Sequence, residues 1–139
     1  MTATACALLS FVAWSILLTF ALVGTRLAAA SGGKALNSFD PTGSDVEGLG
    51  KRVTRAHANS LENLAIMAGL LLYAIATNNT AVTDGLAGLV VGARVVQSVV
   101  HIASTSVPAV LIRATAFSVQ MVVGLIWCWQ FWHVTAAAG

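Results

Sequence analysis

The chain has 139 residues, of which 58% are hydrophobic and only 9% are charged, and its mean hydropathy is +0.85. A soluble domain carries about 25% charged residues, so this chain lacks the polar surface that such a domain needs. Its net charge of +2 comes from dispersed Lys and Arg residues and does not indicate nucleic-acid binding. The composition therefore predicts an integral membrane protein with a single domain.

Four long apolar segments follow one another along the chain, and each exceeds the roughly 20 residues that cross the hydrocarbon core of a bilayer. None of them alternates between polar and apolar residues, and an open sheet edge cannot lie in lipid, so all four are predicted as helices. The sequence thus predicts an all-α integral membrane fold, a four-transmembrane-helix bundle in one domain, 1–139. The helices are predicted at about residues 3–30, 54–77, 81–104 and 107–134, with a loop at about 31–53.

The first segment has one feature of a secretory signal peptide, because small residues in "RLAAASGG" offer a cleavage site. However, no basic residue precedes its apolar part, that part is too long, and Arg26 interrupts it near the end. We therefore expect a retained first helix. Cys6 in this helix and Cys128 in the fourth lack the spacing of a metal site. We expect both to pack as small apolar residues, and a disulfide between them remains open.

The distribution of basic residues predicts how the chain is oriented. The first connection contains Lys34, Lys51 and Arg52, the second contains no Lys or Arg, and the third leads to Arg113. The positive-inside rule then places the first and third connections in the cytoplasm. An aromatic belt is expected at the opposite face, formed by Trp127, Trp129 and Trp132.

Every predicted helix carries a line of polar or partly polar side chains spaced by three, four and seven residues, which places them on one face. Antiparallel packing of the second and third helices would bring two of these lines together. This arrangement predicts a polar pocket open to the cytoplasm, with arginines at its mouth and one carboxylate at depth. The predicted pairs are Arg55 with His101, Asn59 with Gln97 and Glu62 with Arg94, and Arg26 and Arg113 would reach the mouth from other helix ends.

Ordinary structural roles would account for these residues taken one at a time. Arginines near helix ends can extend to the membrane interface, and amides can join helices by hydrogen bonds. Glu62 and Arg94 can form a structural ion pair. Ionisable groups inside a membrane are costly unless they are paired or hydrated, so their joint alignment favours a functional site. Because arginines bind carboxylates through paired hydrogen bonds, the predicted ligand is a small anion with carboxylates and an amino group.

The segment "RVTRAHANSLENL" resembles the signature of the MAPEG family, the membrane-associated proteins in eicosanoid and glutathione metabolism, and is most similar to small bacterial members. "GARVVQSVVHI" in the third helix and "VPAVLIRATAF" at the start of the fourth are also similar, and the resemblance covers nearly the whole chain. It implies a four-helix fold assembled as a homotrimer. The expected location is the bacterial inner (cell) membrane, with multiple passes and a ligand cleft between subunits that faces the cytoplasm.

The resemblance also implies an activity, that of a membrane-bound glutathione transferase or peroxidase acting on lipophilic electrophiles delivered through membrane lipid. Glutathione, or another low-molecular-weight thiol, would be the co-substrate, and no metal is expected. Arg113 matches the family's arginine beside the thiol and would be catalytic, because a nearby cation favours the thiolate. The ligand residues that the resemblance implies are Arg26, Arg55, Asn59, Glu62, Gln97 and His101, and the pocket described above adds Arg94.

Two positions in the fourth helix depart from the family's pattern. Several animal members have a serine after the arginine and an aromatic hydroxyl one turn on, whereas this chain has Ala114 and Phe117. An alternative therefore stays open, namely a non-catalytic trimeric membrane protein that binds a lipid or an anionic metabolite, or an accessory subunit of a membrane complex. A small transporter is a weaker alternative, because the sequence shows neither broken helices nor repeats.

Overall fold

Four long α-helices make up the computed structural model, which describes residues 1–138. They are α1 (Ala3–Ser31), α2 (Gly48–Ala76), α3 (Ala81–Ala103) and α4 (Val107–Ala138). The described residues contain no strand, and all four helices are long and apolar enough to cross a membrane. The predicted class, a four-helix membrane bundle, is therefore confirmed. At 1.5 Å per residue, a helix of 29 residues such as α1 is about 43 Å long and extends beyond a hydrocarbon core of about 30 Å.

The second helix begins earlier than the sequence predicts, at Gly48 instead of about residue 54. The sequence boundary was placed where the charged residues give way to apolar ones. A helix satisfies its own backbone hydrogen bonds, however, so it can continue out of the hydrocarbon into the charged interface. Lys51, Arg52 and Arg55 consequently lie on the first turns of α2 and have fixed spacings on a helix.

One apolar core joins the four helices in the half of the bundle that lies away from the α1–α2 connection. Phe11 of α1, Met67 and Leu71 of α2, Val90 of α3 and Trp127 of α4 are buried in it. Lipid chains are as apolar as these side chains, so the core stabilises the bundle through close packing more than through removal of apolar surface from water.

Two expectations about side chains in the apolar segments are wrong. Trp127 is predicted in an aromatic belt but is fully buried in the core, whereas Trp129 lies on the outside and is 65% exposed. Residues two positions apart on a helix do not share a face, so the two rings point in different directions. Cys6 and Cys128 are free thiols on exposed surfaces and do not pack inside the bundle.

Hydrogen bonds fasten the start of α1 to the start of α3. Asp84 Oδ1 accepts from the backbone N–H of Thr4 at 2.8 Å and from the Thr4 hydroxyl at 2.6 Å. The Thr4 hydroxyl also lies 2.6 Å from the Thr83 hydroxyl. The carboxylate therefore satisfies an N–H group that has no partner within α1, at the helix end where the dipole favours negative charge.

The connection between α1 and α2 is held in shape by its own side chains. Asp40 accepts hydrogen bonds from the Thr42 backbone N–H and hydroxyl, both at 2.6 Å, and from the Ser44 hydroxyl at 2.9 Å. Lys34 Nζ lies 2.7 Å from Asp45 Oδ2 and donates to the Asp45 carbonyl at 2.7 Å. These contacts give an ordered loop at one end of the bundle, which is called the loop end below.

Candidate functional site

A cleft opens at the loop end between α2, α3 and α4. Its outer part, nearer the loop end, is a cavity of about 380 Å³, and its inner part, farther along the helices, is a shallower cavity of about 250 Å³. Both parts are lined by His101 and Arg113, so they form one cleft. The outer part, called the cationic mouth, is also lined by Gly48, Lys51, Arg52, Arg55 and Thr105. The inner part, called the cleft floor, is also lined by Asn59, Gln97, Val110, Ala114 and Phe117.

Positive charge is concentrated in the cationic mouth. Arg52 Nε donates to the Ile102 carbonyl at 2.6 Å, which holds this side chain against the C-terminal end of α3, where carbonyls lack partners within the helix. Arg113 Nε is buried and has no hydrogen-bond partner among the described residues. No carboxylate lines this cavity, whereas four formally charged cations do: Lys51, Arg52, Arg55 and Arg113.

A buried hydrogen-bond network lies behind the cleft floor and joins three helices. Arg94 of α3 is 1% exposed; its Nη1 donates to Asn59 Oδ1 at 3.0 Å and its Nε donates to Gln120 Oε1 at 3.1 Å. Gln97 Nε2 donates to the same Asn59 oxygen at 2.9 Å. Gln120 Nε2 donates to Gln97 Oε1 at 2.9 Å, which closes the network.

The guanidinium sets the direction of every hydrogen bond in this network, because arginine can only donate. Both Asn59 and Gln120 must turn their oxygens toward Arg94, and Gln120 must then turn its nitrogen toward Gln97. Asn59 Oδ1 accepts from Arg94 and from Gln97, so only its Nδ2 donor remains for a ligand. The floor therefore presents an N–H group, which suits an anionic or carbonyl oxygen of a ligand.

The predicted pairing of Glu62 with Arg94 is wrong within one chain. Glu62 is exposed on the outside of α2 and makes no ion pair among the described residues, while Arg94 is buried inside the bundle. Helix α2 directs Asn59 and Asn63 inward, and residues four apart share a face, so Glu62 is turned away from α3. The Asn63 side chain donates to Gln120 at 2.6 Å on this inner face.

Arg26 is predicted at the mouth but does not line the cleft of a single chain. Its guanidinium carbon lies 5.5 Å from the centroid of the Phe39 ring in the loop, and Lys34 Nζ lies 5.2 Å from the same centroid. The structure therefore separates the predicted site residues into three groups. Arg55, Asn59, Gln97, His101 and Arg113 line the cleft, Arg94 lies behind it, and Arg26 and Glu62 lie outside it.

Sequence reasoning missed three residues of this region. The sequence uses Lys51 and Arg52 only to predict the orientation of the chain. It predicts both in a loop, and helical spacing does not give the positions of loop side chains. Gln120 holds the buried network together but was not among the predicted ligand residues. Its spacing, seven residues after Arg113 and hence on the same face of α4, places it on the polar line of this helix, but the sequence predicts no role in the site for it.

Four membrane-crossing helices around a cleft lined by cations and amides define a multi-pass integral membrane protein. A scan against protein families matches residues 4–132 to the MAPEG family. The match covers nearly the whole chain, so the chain belongs to the MAPEG family, and the resemblance seen in the sequence is confirmed. Comparison with curated proteins and comparison with solved structures each gave no match.

Proposed function

We propose that this protein is a membrane-bound transferase or peroxidase that uses glutathione, or another low-molecular-weight thiol, against lipophilic electrophiles. One observation carries the proposal, the continuity of a cationic mouth with a floor that combines amides and apolar side chains. The mouth suits the carboxylates of a thiol co-substrate. The apolar wall formed by Val110 and Phe117, both exposed in the bundle, suits an electrophile that arrives from lipid.

The binding roles follow from the donor groups of the cleft. Arg55 is exposed at the mouth and can hold a carboxylate through two charge-assisted hydrogen bonds. Asn59 donates from Nδ2 to a second oxygen of the thiol, because its own oxygen is occupied. His101 lines both the mouth and the floor, Gln97 lines the floor, and the two side chains limit where the ligand can lie.

Arg113 is proposed to act on the sulfur, because it lines both the mouth and the floor. A free thiol has a pKa of about 8.5, and a nearby cation lowers it and raises the thiolate fraction at neutral pH. The thiol proton leaves to water at the open mouth. In a transferase reaction the thiolate then forms a carbon–sulfur bond, and the leaving group departs with the electron pair of the broken bond.

In the peroxidase version of the reaction, the thiolate attacks one oxygen of a lipid hydroperoxide and the O–O bond breaks. The lipid alkoxide takes a proton and leaves as the alcohol, and the sulfur is oxidised to a sulfenic acid. A second thiol molecule reduces this species, which gives a disulfide and water. Both versions need the same thiolate, so the same Arg113 environment serves them.

We propose a homotrimer, because Arg26 and Glu62 lie outside the cleft of one chain. An exposed carboxylate on a membrane helix is costly unless it is paired or hydrated, so Glu62 calls for a neighbour. Small residues on the exposed face of α2, among them Ala58, Ala65 and Gly69, allow another helix to approach closely. A second copy packed there would cover Glu62 and could complete the cleft.

We propose that the loop end faces the cytoplasm of a bacterial cell and that the protein lies in the inner membrane. The support is the set of basic residues at this end, Lys34, Lys51, Arg52 and Arg113, because positive charge is enriched on cytoplasmic connections. Cytoplasmic orientation would expose the cationic mouth to the compartment in which low-molecular-weight thiols are kept reduced.

Thiol-dependent conjugation of a generic lipophilic electrophile tests the proposal. Purified protein in detergent is compared with Arg55→Ala and Arg113→Ala, and Lys34→Ala serves as a control that removes one charge at the same end but outside the cleft. We expect the cleft variants to lose most activity and the control to keep it. If wild type conjugates neither glutathione nor other bacterial thiols, the transferase proposal is contradicted.

A second function, binding without catalysis, is favoured by one observation. No hydroxyl side chain lines the cleft floor beside Arg113, since the neighbouring floor positions are Ala114 and Phe117. In this alternative the protein would bind a lipid or an anionic metabolite, or act as an accessory subunit of a membrane complex. Saturable thiol binding that depends on Arg55, without turnover of any electrophile, would select this alternative.

A further inference from the structure

We propose that the cationic mouth contains a phosphoryl subsite, which holds a phosphate group beside the carboxylates of the bound thiol. The neighbouring thiol rests on the proposed function, whereas the phosphate site is argued from the mouth itself. The phosphate of a soluble ligand and the phosphate of a lipid headgroup have the same chemistry here. The experiment below separates these two sources.

The first argument is the separation of charge around the start of α2. Acidic residues at the loop end lie on a different side of this helix, where Asp45 and Glu47 line a second cavity together with Lys34. In that cavity Lys34 is neutralised by Asp45 at 2.7 Å. The cationic mouth contains no carboxylate, so its four cations are left without a counter-charge from the described residues.

The second argument is that donors in the mouth remain free. Arg52 uses Nε on the Ile102 carbonyl, which fixes the side chain and leaves its two terminal nitrogens for a ligand. Arg113 Nε is buried and unpartnered among the described residues. Lys51 and Arg55 make no ion pair there. Because Arg52 is already held in position, it adds little to the ordering cost of binding an anion, while the other cations remain available to it.

The backbone at the start of α2 adds to these side chains. Gly48 is the first residue of α2 and lines the mouth, and nothing lies within 4 Å of the position that a Cβ would take. The preceding Glu47 makes no side-chain capping hydrogen bond. N–H groups in the first turn of a helix lack partners within the helix and favour anions.

The number of cations is the reason to infer phosphate in addition to the thiol. A thiol peptide with two carboxylates, one ammonium and the thiolate that Arg113 favours has a net charge of about −2 at neutral pH. The mouth provides four cations, and a phosphate monoester adds a charge of about −1.5 to −2 and three strong acceptor oxygens. A phosphate in the mouth therefore balances charge that the thiol alone would leave unpaired.

Binding of inorganic pyrophosphate to the full-length protein in detergent, at constant ionic strength, is the test. Wild type is compared with Lys51→Gln and with the matched control Lys34→Gln, which removes the same charge from the neighbouring cavity. We expect saturable thermal stabilisation of wild type and of the control. Lys51→Gln is expected to bind about tenfold more weakly, and Lys51→Arg to recover most of the loss.

Two results would overturn the proposal. One is an equal response to chloride and to pyrophosphate, which would indicate only a diffuse ion atmosphere. The other is equal pyrophosphate affinity in Lys51→Gln and Lys34→Gln.

Asn59→Ala separates this proposal from the proposed function, because Asn59 lines the floor and not the mouth. The Asn59→Ala variant should lose thiol conjugation and keep pyrophosphate binding. If wild type binds pyrophosphate but conjugates no thiol, only the transferase proposal is contradicted.

Nanodiscs distinguish the two sources of phosphate. The same titration is repeated in bilayers of phosphatidylcholine and in bilayers that also contain phosphatidylglycerol. A lipid headgroup in the mouth would compete, so phosphatidylglycerol would raise the apparent Kd for pyrophosphate in wild type and in Lys34→Gln. Because phosphatidylcholine also carries a phosphate group, the Kd in detergent is the reference, and a Kd that is equal in detergent and in both bilayers would assign the mouth to the phosphate of a soluble ligand.

Discussion

Arg94 determines how the amides of the site are arranged. It is a fully buried guanidinium without a carboxylate partner among the described residues, in a segment that crosses the membrane. Its contacts are the side-chain oxygens of Asn59 and Gln120. An isolated buried charge is costly, so this arginine stabilises the bundle only through the hydrogen bonds that it makes. Its Nη2 is buried without a partner among the described residues, so one donor of the guanidinium is unsatisfied.

Replacing Arg94 should therefore disturb both stability and binding. Arg94→Lys keeps the charge but lacks the planar set of donors that reaches both Asn59 and Gln120. Asn59 Oδ1 keeps its hydrogen bond from Gln97, and Gln120 Oε1 keeps its hydrogen bond from Asn63. We therefore expect each lost hydrogen bond to the charged guanidinium to cost about 1.5–3 kcal/mol of unfolding free energy. We also expect weaker thiol binding, because one donor instead of two then orients the Asn59 side chain. Thermal unfolding and thiol titration measure the two effects, and Arg26→Lys, outside the cleft, is the control. A lysine variant indistinguishable from wild type would show that the network does not orient Asn59.

Asp40 gives the loop a dependence on pH. Hydrogen bonds from the Thr42 hydroxyl, then from the Thr42 N–H and the Ser44 hydroxyl, hold the pKa of Asp40 below its ordinary value of 3.8. A carboxylate with a lowered pKa stabilises the folded loop fully at pH values above its ordinary pKa of 3.8. This stabilisation is lost as the pH falls through the lower, folded-state pKa.

Removing the first of these donors should make the loop open at a higher pH. In Thr42→Val we expect the Asp40 pKa to move back toward 3.8, because the hydroxyl is its largest stabilising partner. Hydrogen exchange of the loop amides between about pH 2 and 5 measures the shift. Ser38→Ala is the control, since its hydroxyl bonds a backbone carbonyl and no carboxylate. Identical pH profiles for Thr42→Val and the control would rule out the hydroxyl as the cause.

At the scale of elements, α2 organises the molecule, since its different sides contact different structures. One side faces α3 and α4 through Asn59 and Asn63, and another is exposed and carries Glu62. The first turns of α2 also support the loop, because Gly43 lies against Thr54. A rotation or shift of this one helix would therefore change the cleft, the exposed face and the loop together.

The loop packs closely against α2 at Gly43, and Gly43→Ala tests that contact. Its φ is +73°, and an added Cβ would lie 2.9 Å from Thr54 Cβ. We expect a loss of roughly 1–3 kcal/mol of unfolding free energy from strain and overlap. Gly24→Ala in α1 has open space and an ordinary φ, so thermal unfolding should change little in this control. In the double variant Gly43→Ala/Thr54→Ala, we expect the stability lost to overlap with Thr54 to be recovered and the stability lost to backbone strain to stay lost. Unaltered stability in Gly43→Ala would mean that the loop shifts freely.

At the scale of the whole molecule, the two ends of the bundle and its outer surface differ in chemical character. The apolar core fills the end away from the loop, and the cationic mouth occupies the loop end. Many large apolar side chains face outward, including Leu17, Phe20 and Leu125. Such a surface suits lipid, but it also carries Glu62, which lipid disfavours. This exposed carboxylate is the reason to expect that copies of the chain assemble along α2.

Assembly along α2 predicts which positions can be cross-linked between copies. In a background with Cys6→Ser and Cys128→Ser, we expect Ala65→Cys on the exposed face of α2 to cross-link in membranes. Leu125→Cys, which is exposed on α4, is the control and should give monomers after the same treatment. The membranes are treated with a short bifunctional thiol reagent, and trimer bands on denaturing gels measure the result. Cross-linking at position 125 but not at position 65 would move the interface to α4.

The class of the protein could be determined from the sequence alone. Helix number, the membrane location and the family depend on local properties, namely apolar length and a signature segment, and these do not change when the helices rotate. The candidate cleft residues Arg55, Asn59, Gln97, His101 and Arg113 were also visible, because helical spacing places polar groups in lines.

Only the tertiary structure decided which residues on those lines meet. It turned Glu62 outward and brought Gln120 to Arg94, and it placed Trp127 in the core. It also began α2 at Gly48, which added Lys51 and Arg52 to the cationic mouth. The physical reason is that consecutive residues differ by about 100° around a helix. The rotation of each helix about its axis, and the residue at which it begins, are set by packing against its neighbours and not by its own sequence.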